Sequence, residues 1–461
     1  MSPLQRKLLA TTFLIAGLSF SPLDANAEDC VSDLPDTTCT ITEDTTAPLI
    51  MDNGVQLVID GSITIGHTIN GSAASDDGLG EVISNDASTN VITQNADIGN
   101  INPILSLSIG DNDTWNSYAA IITGETADSI DLGATDGGET LNFYAGSSYV
   151  GEINGHEDDV VNFGEDGAGG NFITGGQIES VQVNVVSGQL TAQDSMGSGI
   201  GLDELNINDG ATLIADANIV IDTGSTLTMD GLLWVMPGAS VTTDFYGANA
   251  DAGTLRIGVE RLTNGDPEAG IFSVSDGGPI DFSNDTIEIY IEDTSQVLET
   301  GLIEDVILGN GGEPIAPALF RDNSFLYDFE LVSDGGDNYD LTITRNEVED
   351  IASSVNNLSV ATVIIDGRTL STDGAINDIQ TSLGRAASSE EFNENLEALQ
   401  PAIDGGYVMA SVQSVDQALG ITQSRMNSLR NGGIATGISS GEVSKGLSVW
   451  GQGFGATGEQ D

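Results

Sequence analysis

Positive charge is nearly missing from this sequence. Against 71 Asp and Glu there are 11 Lys and Arg, a formal charge of −60 at pH 7, and no Lys or Arg stands between Lys7 and Arg256. Nucleic acid is excluded as a partner on that ground, because polyanions are held by Lys and Arg that displace their counterions. Histidine is confined to His67 and His156, cysteine to Cys30 and Cys39, and aromatic residues make up only 5% of the chain. Beyond residue 20 no stretch supplies the roughly 18 uninterrupted apolar residues of a spanning helix. So large an excess of acid can keep a chain unfolded. Here 39% of the residues are hydrophobic and fall in regular patterns, which predicts a folded body with a self-repelling surface that cations screen.

Residues 1–27 have the order of a secretory signal: Arg6 and Lys7, an apolar run from Leu8 to Phe20, then Ala25-Asn26-Ala27 as a small-x-small cleavage site. Cleavage after Ala27 leaves a mature chain beginning at Glu28. In an exported protein Cys30 and Cys39 read as a disulfide pinning the N-terminal end, since two thiols with no nearby His fall short of the four ligands of a zinc site.

From about Val55 to Arg345 the chain consists of short runs such as QLVIDGSITIG, DVVNFG and VQVNVVSGQLTA. Alternating apolar and polar residues with many β-branched side chains predict strands, and the intervening Gly, Asn and Asp predict turns. DGATL, TGSTL and PGASV place Gly210, Gly224 and Gly238 at equal intervals of fourteen, while the related SGQLT puts Gly188 twenty-two positions before Gly210. Such loose repetition favours a solenoid, most simply a parallel β-helix. Two or three β-sandwiches are the competing architecture.

The pattern changes at Asn346. NEVEDIASSVNNLSVATVIIDG has capping-box spacing between Asn346 and Glu349, and SSEEFNENLEALQ has it between Ser388 and Glu391. A final helix is predicted from Asp404 to Arg430, roughly 40 Å long, with Val408, Val412, Val415, Leu419, Met426 and Leu429 near one face.

In this order of parts the sequence resembles a Gram-negative type V autotransporter. LEALQPAIDGGYVMASVQSVDQALGITQSRMNSLR resembles the helical region before such a barrel. VWGQGFGATGEQD, with Trp450, Gly451, Gly453, Phe454 and Gly455, resembles the first strand of the translocator barrel, and FELVSDGGDNYDLTITRN the strand pair that ends many passengers. The resemblance spans roughly Phe329 to Asp461. It implies a mainly β protein: a signal peptide at 1–27, a right-handed parallel β-helix-like solenoid passenger at 28–345, a helical linker at 346–446 and the start of an outer-membrane β-barrel at 447–461. The implied partners are the outer membrane, its barrel-assembly machinery and a surface ligand of unknown identity. One strand cannot close a barrel, since its backbone groups would stay unpaired in lipid. A product ending at Asp461 is therefore expected in the periplasm, and the full-length product at the cell surface.

Catalytic groupings are sparse. Neither histidine sits in a context like that of the protease or lipase passengers of this family: His67 in TIGHTIN is expected on a strand or turn of the solenoid, and His156 in a solvated loop. Carboxylates are too numerous for any pair to single out a glycosidase. Calcium is the sharper candidate ligand. NGHEDDVVNFGEDGAGGNF sets Glu157, Asp158, Asp159, Glu165 and Asp166 among glycines, and Asp111, Asp113, Asp131 and Asp136 lie in similar turns. Asn356-Asn357 is no candidate for release of the passenger, because it precedes the barrel-like strand by about ninety residues. Three functions therefore stand: a non-catalytic adhesin or surface-interaction module, a passenger hydrolase, and a calcium-stabilised surface protein.

Overall fold

The computed structural model describes residues 37–400, apart from 46, 52–54, 72–79, 85–88, 124–129, 134–137, 166, 248–251, 262–265, 276–278, 293–297, 299 and 367–373, and then 415–416, 419–424 and 426–427. Ala27, Cys30, Asp136, Asp166 and the residues of the barrel-like motif from Trp450 to Gly455 lie outside the described residues. Cys39 is disulfide-bonded.

The protein is mainly β, with long parallel sheets consistent with a β-helix-like solenoid. A seven-stranded, a nine-stranded and an eight-stranded sheet carry most of the strands, and a six-stranded sheet ends the series. The chain visits these sheets in rotation. Val160–Phe163 lies in the nine-stranded sheet, Asn171–Ile173 in the eight-stranded, Ile178–Glu179 in the seven-stranded, and Gln182–Val185 again in the nine-stranded, parallel to Val160–Phe163. Val160 pairs with Gln182 and Gln182 with Glu204, so each of these circuits advances the numbering by twenty-two.

That register reinterprets the glycine repeat. The long step from Gly188 to Gly210 joins the turns before two neighbouring strands of one sheet, Gln189–Ala192 and Thr212–Ala215. The shorter steps do not. Gly210, Gly224 and Gly238 precede Thr212–Ala215, Thr226–Met229 and Ser240–Thr243, which lie in the eight-, nine- and six-stranded sheets. Fourteen positions is thus about two-thirds of a circuit, and the same turn recurs on all three sides of the stack. All three glycines have positive φ, of 75°, 90° and 76°, a conformation that disfavours side chains bearing a Cβ.

Strand alternation fills the interior. Trp115, Leu141, Val161, Val183, Leu205 and Leu227 stand opposite one another in successive circuits and are fully buried. Two positions on, Phe143 and Phe163 stack with ring centroids 5.1 Å apart. The indole N–H of Trp115 donates to Gln94 Oε1 at 3.0 Å, so the largest buried side chain leaves no polar group unpaired.

At the C-terminal end the pairing turns antiparallel. Tyr327–Ser333 and Tyr339–Arg345, the expected strand pair, form a hairpin whose second strand also pairs with Gly301–Leu308. Helices follow at Val348–Ile351, Val355–Ala361, Gly374–Gly384 and Ser389–Ala398. Asn346 does not open the first of them: its N-cap is Glu347, and the run breaks before Ser354 caps the second. Ser388 does cap the last, its hydroxyl accepting from Glu391 N at 3.2 Å while Glu391 Oε2 accepts from Ala387 N at 3.0 Å.

These helices belong to the same compact unit as the strands, which extends to Leu399. Leu383, Ala386, Phe392 and Leu396 join the strand core, Phe325 N donates to Ala386 O at 2.6 Å, and Asn357 and Asn393 pair their amides between two helices. A repeat stack needs a terminal element of this kind, because its last coil has no neighbour to bury it. In the second unit, residues 415–416, 419–424 and 426–427 are helical, as expected, with Val415, Leu419 and Met426 exposed.

Two glycines separate conformational strain from contact. At Gly210 a Cβ would meet nothing within 4 Å, whereas at Gly197, φ +69°, it would lie 2.0 Å from Val220 O. Gly210→Ala is expected to cost about 1–2 kcal/mol from φ alone, and Gly197→Ala distinctly more. Thermal unfolding of the two variants checks the order.

Candidate functional site

One corner of the stack gathers three of the buried acids, Asp113, Glu139 and Asp159. Asn90, Asp113, Glu139, Asp159, Val181 and Asp203 each immediately precede a strand of the nine-stranded sheet. Backbone hydrogen bonds tie each to the next circuit, as in Thr140 N to Asp113 O at 2.9 Å and Val160 N to Glu139 O at 2.9 Å. The first four are almost fully buried.

Asp113, Glu139 and Asp159 each accept from the turn one circuit earlier. Asp113 accepts from the backbone N–H and the side-chain amide of Asn90, and Glu139 Oε1 accepts from Asn112 N at 3.2 Å. Asp159 Oδ1 accepts from Gly138 N and Glu139 N, both at 3.0 Å, and its Oδ2 from His156 N at 2.7 Å. Asp159 thereby clamps its own turn and the preceding one.

Glu139 is the exceptional member. Burial, and then its hydrogen bond to the Asp159 carboxylate, pushes its pKa up to about 8. Its Oε2 is buried with no donor facing it, and an acid raised this far keeps its proton at neutral pH. Val181 interrupts the column. Beyond it Asp203 is raised, first by burial and then by the charges of Asp222 and Glu157, with His156 opposing.

A second cluster lies on the outward side of the eight-stranded sheet, where cations return to the sequence. Trp234, Arg256, Glu288 and Arg321 form one row across four strands. The Arg256 guanidinium lies 4.7 Å from the ring centroids of both Trp234 and Tyr290, and its Nε donates to Glu288 at 2.8 Å. Arg385, just after the helix Gly374–Gly384, lies 5.0 Å from the Tyr290 ring centroid and hydrogen-bonds its hydroxyl. Glu292 accepts from Trp234 Nε1 at 3.0 Å; burial raises it to about 7, although that bond, Arg385 and Arg256 pull it down. Each cation–π contact is worth about 0.5–2 kcal/mol, so this cluster fastens the helices to the sheet. Its signal in the sequence was the return of arginine at Arg256; the pairing across distant strands carried none.

Of the candidate calcium ligands, Asp113 and Asp159 share the buried corner with their side chains engaged by backbone donors. Asp111 is half-buried and Glu157, Asp158 and Glu165 are exposed on turns, while Asp131 accepts from Gly133 N at 3.2 Å. Among the described residues, no group of three or more His, Cys, Asp or Glu is placed to hold a metal ion. His67 sits in a turn, as expected. His156 differs from the solvated residue expected: it is half-buried, with Nδ1 enclosed and without a hydrogen-bond partner. The chain has one Gly-x-Ser-x-Gly spacing, Gly437 to Gly441, outside the described residues. No helix among the described residues is long and apolar enough to cross a membrane. Compared with known protein families, curated proteins and solved structures, the chain matches none.

The raised acids set a pH dependence. Between about pH 4.5 and 8 the unfolded chain has released the Glu139 proton and the folded chain still holds it, so stability falls as pH rises through that window. Glu139→Gln keeps a hydrogen-bond donor toward Asp159 and removes the titration. At constant ionic strength its melting temperature is expected to match the parent near pH 5 and exceed it near pH 8.5; identical pH profiles would show that Glu139 does not retain its proton.

Proposed function

We propose that this chain is the passenger region of a Gram-negative type V autotransporter, exported through the signal at 1–27 and presented at the cell surface as a non-catalytic adhesive or interaction module. The long parallel sheets support a right-handed parallel β-helix as its architecture. The observation that carries the functional reading is the form of the stack: strands in parallel register from Thr37–Ile41 to Leu319–Asp322, exposing broad side faces. A cleft lined by Asp209, Gly210, Thr212, Asp230 and Thr254 has a volume of about 230 Å³, below the ~300–1,000 Å³ usual for small-molecule sites. Among the described residues the interior of the stack is filled by one continuous apolar cluster, which favours binding on the sides.

Closure by the helices up to Ala398 suits this role, because the last coil is then covered without a neighbouring domain. The resemblance of Leu447–Asp461 to a first barrel strand supports attachment to the outer membrane. The acidic surface repels the anionic lipopolysaccharide of a Gram-negative cell and favours a module that stands away from it.

The test expresses the gene in a Gram-negative host and probes intact cells with antibodies raised against residues 28–399. Labelling of intact cells, with a mature N-terminus at Glu28, is the expected outcome. Labelling that needs a permeabilised outer membrane would discard surface presentation, and retention of residues 1–27 would discard export by this signal.

A further inference from the structure

The outward side of the nine-stranded sheet stands apart from the rest of this acidic chain. From Thr64–Ile65 to Thr226–Met229 its outward strand positions are occupied by Thr, Asn, Gln and Val, with Glu204 the one carboxylate. Next to it, Asp209, Asp222, Asp230 and Asp244 all lie outside the strands. A chain of charge −60 thus keeps one broad face nearly neutral.

Along the middle of that face runs a ladder of five asparagines, one per circuit. Asn142 Nδ2 donates to Asn116 Oδ1 at 2.8 Å, Asn162 to Asn142 at 2.8 Å, Asn184 to Asn162 at 2.7 Å and Asn206 to Asn184 at 2.8 Å. An amide has two N–H donors and two acceptor lone pairs. The ladder uses one donor of each of the last four; Asn142 is itself buried, and the second N–H of the part-exposed Asn162, Asn184 and Asn206 remains for another acceptor. These groups repeat at the strand spacing of about 4.7–4.9 Å.

At the Asn116 end the ladder meets two tyrosines. Tyr118 and Tyr144 stack with centroids 4.2 Å apart and planes 12° from parallel, and the Tyr144 hydroxyl donates to Asn116 Oδ1 at 3.2 Å. Tyr118 is 44% exposed and keeps ring surface open to solvent.

We propose that this face binds a neutral polysaccharide, laid along the stack axis with its hydroxyls on the ladder amides and a sugar ring against Tyr118. Sugar hydroxyls donate and accept at short intervals, which suits a row of equally spaced N–H groups, and the C–H face of a pyranose suits the electron-rich face of a tyrosine. Anionic polymers are disfavoured by the acidic turns on either side. A protein partner fits less well, since the centres of protein interfaces are rich in apolar and aromatic side chains, and along the ladder this face offers amides and hydroxyls. The inference names the ligand class for the interaction module proposed above, but depends on the face alone and not on where the protein resides.

The experiment is affinity electrophoresis of the purified chain at 0.15 M salt through gels containing dextran, soluble starch, hydroxyethyl cellulose or, as the anionic comparison, polygalacturonate. Three variants accompany it. Tyr118→Ala removes the stacking platform without touching the ladder. Thr140→Glu puts a charge beside Asn142, and Thr212→Glu puts the same charge on the eight-stranded sheet. Retardation by at least one neutral polymer and not by polygalacturonate is expected, weakened tenfold or more in the first two variants and unchanged in Thr212→Glu. No retardation by any neutral polymer, retardation by polygalacturonate, or parental behaviour of Tyr118→Ala or Thr140→Glu would overturn the proposal, as would equal loss in Thr212→Glu. Because purified protein is used, binding without labelling of intact cells would leave this inference standing and discard surface presentation.

Discussion

Parallel registry between successive circuits is the constraint on which the rest of this structure depends. Strands pair at about 4.7–4.9 Å, so each residue lies against its counterpart one circuit away and a column must be compatible with itself. Apolar columns meet this condition easily, as Trp115 through Leu227 do. Asparagine meets it because an amide is donor and acceptor together, and the five-membered ladder is the result. Carboxylates do not, since ionised neighbours repel and neither can donate. The acid corner escapes by two routes: backbone N–H groups from the preceding turn satisfy Asp113 and Asp159, and a retained proton serves Glu139.

The same constraint explains how a folded stack carries 71 acidic residues. Acids placed at equivalent strand positions would build lines of like charge only a strand spacing apart, where repulsion is poorly screened. Along the nine-stranded sheet they are moved to turns, and the outward strand positions take amides and hydroxyls. Cations reappear where the stack ends. Arg256 and Arg321 stand in one row of the eight-stranded sheet and Arg385 reaches that row from the end of a helix, so the guanidinium groups join aromatic rings and carboxylates of neighbouring strands. Charge of both signs is thus distributed by the demands of stacking and capping.

Much of this was legible in advance, for local reasons. Period-2 alternation announced the strands, and glycines with their neighbours announced turns, because both patterns are set by the geometry of a few consecutive residues. Ser388 with Glu391 correctly marked a helix start; Asn346 with Glu349 did not, since the N-cap position is Glu347, with no side-chain cap, and the next helix begins only after Ser354. The regular spacing of Gly210, Gly224 and Gly238 was visible, but its meaning was hidden. A turn motif does not say which sheet follows it, and only the pairing of Gln189–Ala192 with Thr212–Ala215 identifies the longer step, from Gly188 to Gly210, as the full circuit.

The sequence by itself determined the strand-and-turn character of the body, its acidic surface and the change to helix near residue 348, since composition and short-range periodicity carry all three. Only the tertiary structure decided which residues meet. Asp113 and Asp159, read from the sequence as candidate calcium ligands, joined Glu139 in a buried column. His156 lost solvent from one ring nitrogen, and asparagines far apart in the chain, such as Asn162 and Asn184, became a continuous ladder. Those outcomes depend on register between distant segments, which is fixed by the cooperative packing of the whole interior and by no local preference of the residues involved.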